Sequence, residues 1–276
     1  LSLRRQRQMC IRDRDINIRT HDIATLGLWG PKAVEALGNF IDPNEIDIKN
    51  FPFVSAKNLT LNLSGGKVDV WAARISYVGE SGWEIYFNNN KGDGLALYDS
   101  LLEVGVVPVG IETYANSRRL EKSFRLQGAD LETEYTAIEA AIQRPLVKEA
   151  DFHGKAAHLA HREEDPCAIL CTMTLDDLNV SGKTRYPVGI SPIIDPATGE
   201  VPIDSKGRRS YTTGMSYCPS LKKFVVMGYL PKEIAIQGKS LLIEYFNEDG
   251  DGLYPITVQI VGKGSLYDPG NERVRA

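Results

Sequence analysis

The 276-residue chain has no apolar run approaching eighteen residues, so it offers no candidate for a membrane-spanning helix. Cysteine is scarce. Cys10, Cys167, Cys171 and Cys218 form no Cys-x-x-Cys pair and show no zinc spacing. Four scattered thiols point to a reducing compartment, the cytoplasm or, in a eukaryote, the mitochondrial matrix. The Asn-x-Ser/Thr triplets at Asn58, Asn62 and Asn179 are then chance matches. Of the four histidines, His158 and His161 lie one helical turn apart near Glu163, Glu164 and Asp165. That pattern reads as a solvated helix face, and no metal is predicted. Phosphate loops are missing too. Gly182-Lys183-Thr184 and Gly238-Lys239-Ser240 have Asp177 and Glu233 where a P-loop needs its first glycine. No Gly-x-Gly-x-x-Gly follows a strand, and no Gly-x-Ser-x-Gly elbow occurs.

The formal net charge of −4 hides an asymmetry, because residues 1–14 hold five arginines against the single acid Asp13. The remainder is more acidic than the whole and makes a poor nucleic-acid binder. The basic start has no apolar core, so it is not a secretory signal. It is Arg-rich and acid-poor as a transit peptide is, but poorer in serine, and a small nucleic-acid arm is a further reading. LSLRRQRQMCIRDR resembles translated sequencing-adapter residue and is set aside as non-native. On that reading the natural chain begins near Asp15 and is cut from something longer.

What remains is ordinary globular composition, 42 % apolar and 8 % aromatic with 25 Gly and 14 Pro. Residues 16–30 read as two short β segments. Pro31 opens a helix over 31–40, where its missing N–H costs nothing. Strands are predicted over 56–63, 67–78 and 83–88, the last two forming a hairpin around Gly79-Glu80-Ser81-Gly82. Helices are predicted over 95–105, 110–124 and 151–162. The charged stretch REEDP, 162–166, marks a boundary. Beyond it, short alternating runs sit between Gly, Pro and Asp turns, which predicts an antiparallel barrel or sandwich. The chain therefore divides into an α+β part, 15–162, and an all-β part, 166–276.

Chemistry concentrates at the hairpin. A four-residue loop would put Tyr77 opposite Glu84, and directly opposed residues share a face. By period two, Trp71, Ala73, Ile75 and Tyr77 join Glu84 and Tyr86 on it. An ionised carboxylate among aromatics is expensive to bury alone. Either the face is solvated, or Glu84 meets a cation or a planar donor edge. On the helix that follows, Ile111, Tyr114 and Ala115 form an apolar stripe continued by Arg118 and Arg119. A core-facing guanidinium wants a carboxylate. The plainer alternative is an internal bridge to Glu84 or Glu121. The sharper one is a pocket with an aromatic floor, one acid and one or two arginines, suited to a flat heteroaromatic ligand with amide-like donors and a distal carboxylate.

ARISYVGESGWEIYF (73–87) is similar to the R-x-S-Y-x-G-E-x-G-x-E signature of the folate-binding aminomethyltransferases, the family of the glycine cleavage T-protein. SRRLEKSFRLQGADLETEYTAIEAAI (117–142) resembles their L-R-L-E-K-G segment with the T-P-x-E-A that follows. VKEADFHGKAAH (147–158) and TTGMSYCPSLKKFVVMGYLP (212–231) match two further blocks. The ending SLYDPGNERVRA (265–276) resembles the terminus of dimethylglycine and sarcosine dehydrogenases. The likeness runs over about residues 15–276. It implies a folate-binding α+β domain followed by an antiparallel β-barrel, and a tetrahydrofolate site. In that site Glu84 matches the acid on the pterin N–H edge, Tyr77 an aromatic beside the ring, and Arg119 an arginine lining the cavity. The implied reaction moves a methylene or aminomethyl group from an N-methyl amine to folate, giving 5,10-methylenetetrahydrofolate. FAD would belong to an upstream flavin domain in the dehydrogenases. The family's catalytic aspartate belongs to a block before the equivalent of residue 15, so no catalytic residue is assigned, and this stretch is expected to be inactive alone. Ser123, Gln127, Ala137 and Ser81 depart from the family pattern, which bears on substrate and folate affinity. A stand-alone transferase, an O- or S-demethylase, and a non-catalytic folate-binding module are the alternatives.

Overall fold

The computed structural model describes residues 22–89, 92–175, 189–247 and 250–276. The basic start, Asn179 and Gly182-Lys183-Thr184 lie outside the described residues.

The first sheet is antiparallel with order β1-β4-β3-β2, built from β1 (Ile23–Trp29), β2 (Ser55–Leu63), β3 (Gly66–Arg74) and β4 (Gly82–Asn88). Period two sorts its side chains. Leu28, Leu59, Leu61, Val68, Val70, Trp83, Ile85 and Phe87 point to one face and bury against Leu37, Ile46, Leu97 and Leu101. These last residues come from three helices, α1 (Ala33–Leu37), α2 (Pro43–Ile46) and α3 (Asp93–Glu103). Asp42 caps α2, its carboxylate accepting from the Asn44 amide, and Pro43 takes the first helical position. The opposite face is left open. Register places Gly27, Glu84 and Ala73 in one row across it and Thr25, Tyr86 and Trp71 in the next.

The hairpin differs from the sequence expectation. Ala73, not Tyr77, lies opposite Glu84, and β3 ends at Arg74. The shared face of Trp71, Ala73, Glu84 and Tyr86 stands, since the register slips by an even number of residues. Residues 75–81 leave the ladder because their polar groups find other partners. The Ile75 amide folds back onto the Ala73 carbonyl, and the Ile75 carbonyl accepts from Trp29 Nε1 at 2.9 Å. Gly82 returns the chain to the sheet at φ +152°, where an added Cβ would sit 1.9 Å from the Leu28 carbonyl oxygen.

The predicted helix over 110–124 is also different. Residues Thr113–Arg118 form a π-helix, followed by a single turn α4 (Arg119–Glu121). Ile111 is 75 % exposed and leaves the stripe, while Tyr114 and Ala115 are half-buried. Helix α5 (Lys155–Glu163), carrying His158 and His161, buries no residue. Among the described residues no group of three or more His, Cys, Asp or Glu is placed to hold a metal.

The second sheet has order β6-β9-β10-β5-β8-β7, all antiparallel. Its strands are β5 (Ala168–Leu175), β6 (Ile193–Ile194), β7 (Thr212–Cys218), β8 (Lys223–Pro231), β9 (Ser240–Asn247) and β10 (Gly250–Val261). Residues 190–193 hydrogen-bond to 210–212 beside its two edges, curling it into a barrel. Bulges in β7 and β10 supply the bend. Met173, Met215, Val226, Leu241, Ile243 and Ile256 fill one side. Leu170, Val225, Met227 and Tyr229 pack outward against Leu120. Strands buried on both faces explain the near-continuous apolar runs of β5 and β8.

Candidate functional site

The open face of the first sheet ends in an aromatic recess. Trp29, at the end of β1, stacks on Tyr114 from the π-helix with ring centroids 5.3 Å apart. Tyr114 meets Tyr77 at 5.3 Å, and Tyr77 stacks on Phe124 at 5.7 Å. All four rings are half-buried. A π-helix carries an extra residue per turn and turns its side chains away from ordinary helical spacing, a device frequent at functional sites. Here it delivers Tyr114 between Trp29 and Tyr77.

Glu84 stands beside these rings, half-buried on β4. Oε2 accepts from the Tyr86 hydroxyl at 2.5 Å. Among the described residues Oε1 has no hydrogen-bond partner, and neither oxygen has an ion-pair partner. The Tyr86 phenol is pushed up to about 12, first by that hydrogen bond and then by burial. Tyr114 is raised by burial and by the nearby Glu84 charge. Burial pushes Tyr77 to about 12, partly opposed by the Arg119 cation. The Tyr77 hydroxyl is already committed, donating to the Arg125 carbonyl at 2.8 Å. Tyr77 therefore presents a ring face and stays protonated at neutral pH.

Of the three residues singled out from the sequence, Tyr77 and Glu84 flank Tyr114 and share the recess. Arg119 lies behind it, 1 % exposed, with Nη1 on Asp130 Oδ2 at 2.5 Å and on the Phe124 carbonyl at 3.0 Å. Its Nε donates to the Ala115 carbonyl. Asp130 also accepts from the Thr213 hydroxyl and from the Leu126 amide, so this bridge ties α4 to the barrel. Arg118 bridges Glu121 at 2.5 Å and Glu80 at 2.8 Å. Both arginines thus have internal carboxylate partners, one of them Glu121 and neither of them Glu84. Sequence reasoning missed Trp29 and Tyr114 as members of the recess. Trp29 carried a readable signal, a large aromatic at a strand end before Gly30-Pro31. Tyr114 read only as part of an apolar stripe.

The loop carrying Tyr77 is braced from outside the first sheet. The Tyr267 hydroxyl donates to Glu80 at 2.6 Å, and the Ser81 hydroxyl donates to the Ala276 oxygen at 2.7 Å. Arg74, 1 % exposed, donates to that same oxygen at 2.6 Å and to the Ile46 and Phe51 carbonyls. Lys122 passes under Gly79 and donates to Asp268 O and Asn271 Oδ1, and burial lowers its pKa. The positive φ of Gly79, +79°, leaves no room for a Cβ above that lysine.

A half-buried carboxylate with one open oxygen, set against aromatic rings, can accept from the N–H edge of a flat ligand. Comparison with known proteins gives the family. Residues 2–149 match the GCVT N-terminal domain model. The chain is 30 % identical over 255 residues to the mitochondrial dimethylglycine dehydrogenase of Rattus norvegicus, covering 88 % of this chain and 26 % of that protein. It is 30 % identical over 238 residues to an aminomethyltransferase of Symbiobacterium thermophilum, covering 81 % of this chain and 58 % of the relative. The solved glycine cleavage aminomethyltransferase T of Bartonella henselae superposes with a TM-score of 0.65 at 22 % identity, over 86 % of this chain and 58 % of that one. The chain belongs to the GCVT aminomethyltransferase family and has its fold. It spans about a quarter of the length of the dehydrogenases it matches, and just over half that of the aminomethyltransferases.

Proposed function

We propose that the recess holds the reduced pterin of tetrahydrofolate, and that the chain serves one-carbon transfer to it from an N-methyl amine of the dimethylglycine or sarcosine type. The product is 5,10-methylenetetrahydrofolate. The single observation that carries this reading is Glu84, whose Oε1 is open next to Tyr114, itself packed between Trp29 and Tyr77, while Oε2 is fixed by Tyr86. Tetrahydrofolate, when bound, supplies the nucleophilic nitrogen that takes up the one-carbon unit. Glu84 accepts from the N–H edge of the pterin. Tyr77 and Tyr114 supply ring faces, and Trp29 and Phe124 fix their tilt. Arg119 backs the recess without facing it, its charge balanced by Asp130. The residues thereby hold the acceptor in one orientation and shed water that would intercept the one-carbon unit. In the dehydrogenase reading, FAD and the oxidation of the methyl group belong to a flavin domain outside the described residues. No residue described here is assigned a proton-transfer role.

Titration calorimetry with tetrahydrofolate tests the reading. Glu84→Ala is expected to weaken binding by about 2 kcal/mol, the cost of leaving buried donors unpaired, while its melting temperature stays near that of the parent. Equal affinity in the two proteins refutes the placement of the pterin.

A further inference from the structure

We propose that Tyr86 is a positioning residue for the ligand acid: its hydroxyl pins one oxygen of Glu84 and so aims the other into the recess. This rests on the reading of the recess as a pterin site and adds a residue to it. Tyr86 lies two positions after Glu84 on β4, so both side chains leave the same face of the sheet. The hydroxyl reaches back along the strand to Oε2 at 2.5 Å. The ring is held in turn by Trp71, the residue opposite it on β3, with centroids 5.0 Å apart at 54°. A glutamate has three side-chain torsions, and on an open sheet face nothing else fixes them. The row containing Glu84 offers Gly27 from β1 and Ala73 from β3, neither of which has a polar side chain. The next row offers Thr25 and Trp71. Tyr114, from the π-helix, is the titratable group that faces Glu84 from another element, and it is a neutral phenol at pH 7. No cation among the described residues forms an ion pair with Glu84. Tyr86 is therefore the group that decides which oxygen is free. Preorganisation of this kind strengthens binding by removing rotamer freedom before the ligand arrives.

The geometry separates positioning from simple packing. A Tyr86→Phe ring still fills the space against Trp71, so the fold is kept while the oxygen is released. The test uses the full chain with tyrosine labelled at Cζ, together with calorimetry on tetrahydrofolate. The phenol that titrates near about 12 and vanishes in Tyr86→Phe is expected to fall toward the ordinary tyrosine range in Glu84→Gln. Tyr86→Phe is expected to bind tetrahydrofolate about tenfold more weakly, with an unchanged melting temperature. A parent chain that binds and a Tyr86→Phe chain that binds equally well overturn this inference alone. A Tyr86 phenol that is indifferent to Glu84→Gln also overturns it. A parent chain that takes up no tetrahydrofolate overturns the pterin reading and this inference together.

Discussion

Glu84 and Arg119 are both charged residues near one recess, and burial gives them opposite uses. Glu84 is half-buried, and its Oε1 has no hydrogen-bond partner among the described residues. Arg119 is sealed, and its guanidinium is spent on Asp130 and backbone carbonyls. Arg119→Met therefore removes the cation from a buried carboxylate and should destabilise the chain by roughly 3–5 kcal/mol, whatever it does to ligand. Urea unfolding of the ligand-free variant checks this, and a loss below 1 kcal/mol would show that Asp130 is held well enough without it. The tyrosines make a pH prediction. Tyr77 and Tyr86 have folded-state values near about 12, above the ordinary value of an unfolded chain. Their protonated forms are favoured by the fold, so this stability is whole below pH 10 and is lost as pH rises from 10 through 12. The unfolding free energy should fall across that interval, and less steeply in Tyr77→Phe and Tyr86→Phe. A slope that survives both substitutions assigns the alkaline loss to other groups. Glu84 and Arg119 stood out in the sequence because acids and cations at apolar spacing demand partners, whereas Tyr77 was singled out by the family resemblance and by a pairing with Glu84 that the register gives to Ala73. Which partner each one took was not legible. Arg119 meets an acid eleven residues on across a turn, and Tyr77 meets a carbonyl 48 residues away. No local periodicity encodes such pairings.

The strands show the same division at the scale of elements. β2, β4, β5 and β8 follow their predicted runs to within one or two residues, because one-sided burial writes itself as period two and two-sided burial as a near-continuous apolar run. The end of β3 was invisible. ISY continues the alternation of WAAR, yet the chain leaves the sheet after Arg74, drawn off by the Trp29 indole and the Gly79 turn. The helix over 110–124 was legible, since the chain is helical from 111 to 121, but its π-helical middle was not. Its sequence suits a regular helix, and nothing in the spacing marks the wider turn that carries Tyr114. Gly82 is the joint of this region, the point where β4 rejoins β1 under the Leu28 carbonyl. Gly82→Ala meets a backbone atom at 1.9 Å in a conformation that alanine avoids, so it should cost more than about 1 kcal/mol. The loss should come with faster amide exchange in β1 and β4 and little change in β9 and β10. Uniform loosening of both sheets would mean that the joint serves the whole molecule.

The described parts of the molecule are tied together by residues 265–276. Residues 265–276 form no helix or strand, yet Val274 is 3 % exposed. Two buried cations of the recess-bearing half depend on this segment. Each hydrogen bond donated by the Lys122 ammonium ends on Tyr267, Asp268 or Asn271, and Arg74 places Nη2 on the Ala276 oxygen. The segment in turn leans on the Tyr77 loop through Tyr267 and Glu80. Barrel, C-terminal segment and loop therefore form one mechanical chain, in which the segment leaves the barrel after β10 and ends under β3. Lys122→Met keeps the aliphatic stem against Gly79 and deletes only the charge, taking the ammonium donor from Asn271 Oδ1 and from the Tyr267 and Asp268 carbonyls. The expected result is faster hydrogen exchange in two stretches distant in sequence, 265–274 and 76–82, with α3 and β9 unchanged. If the Tyr77 loop exchanges as before while the C-terminal stretch loosens, Lys122 holds only the segment, and the loop is held without it by Trp29, Arg125 and the Arg118–Glu80 pair. A loop that loosens with the segment would make residues 265–276 part of what shapes the recess, although they lie four to fifteen residues past the last strand position of the barrel at Val261 and more than a hundred past Arg119.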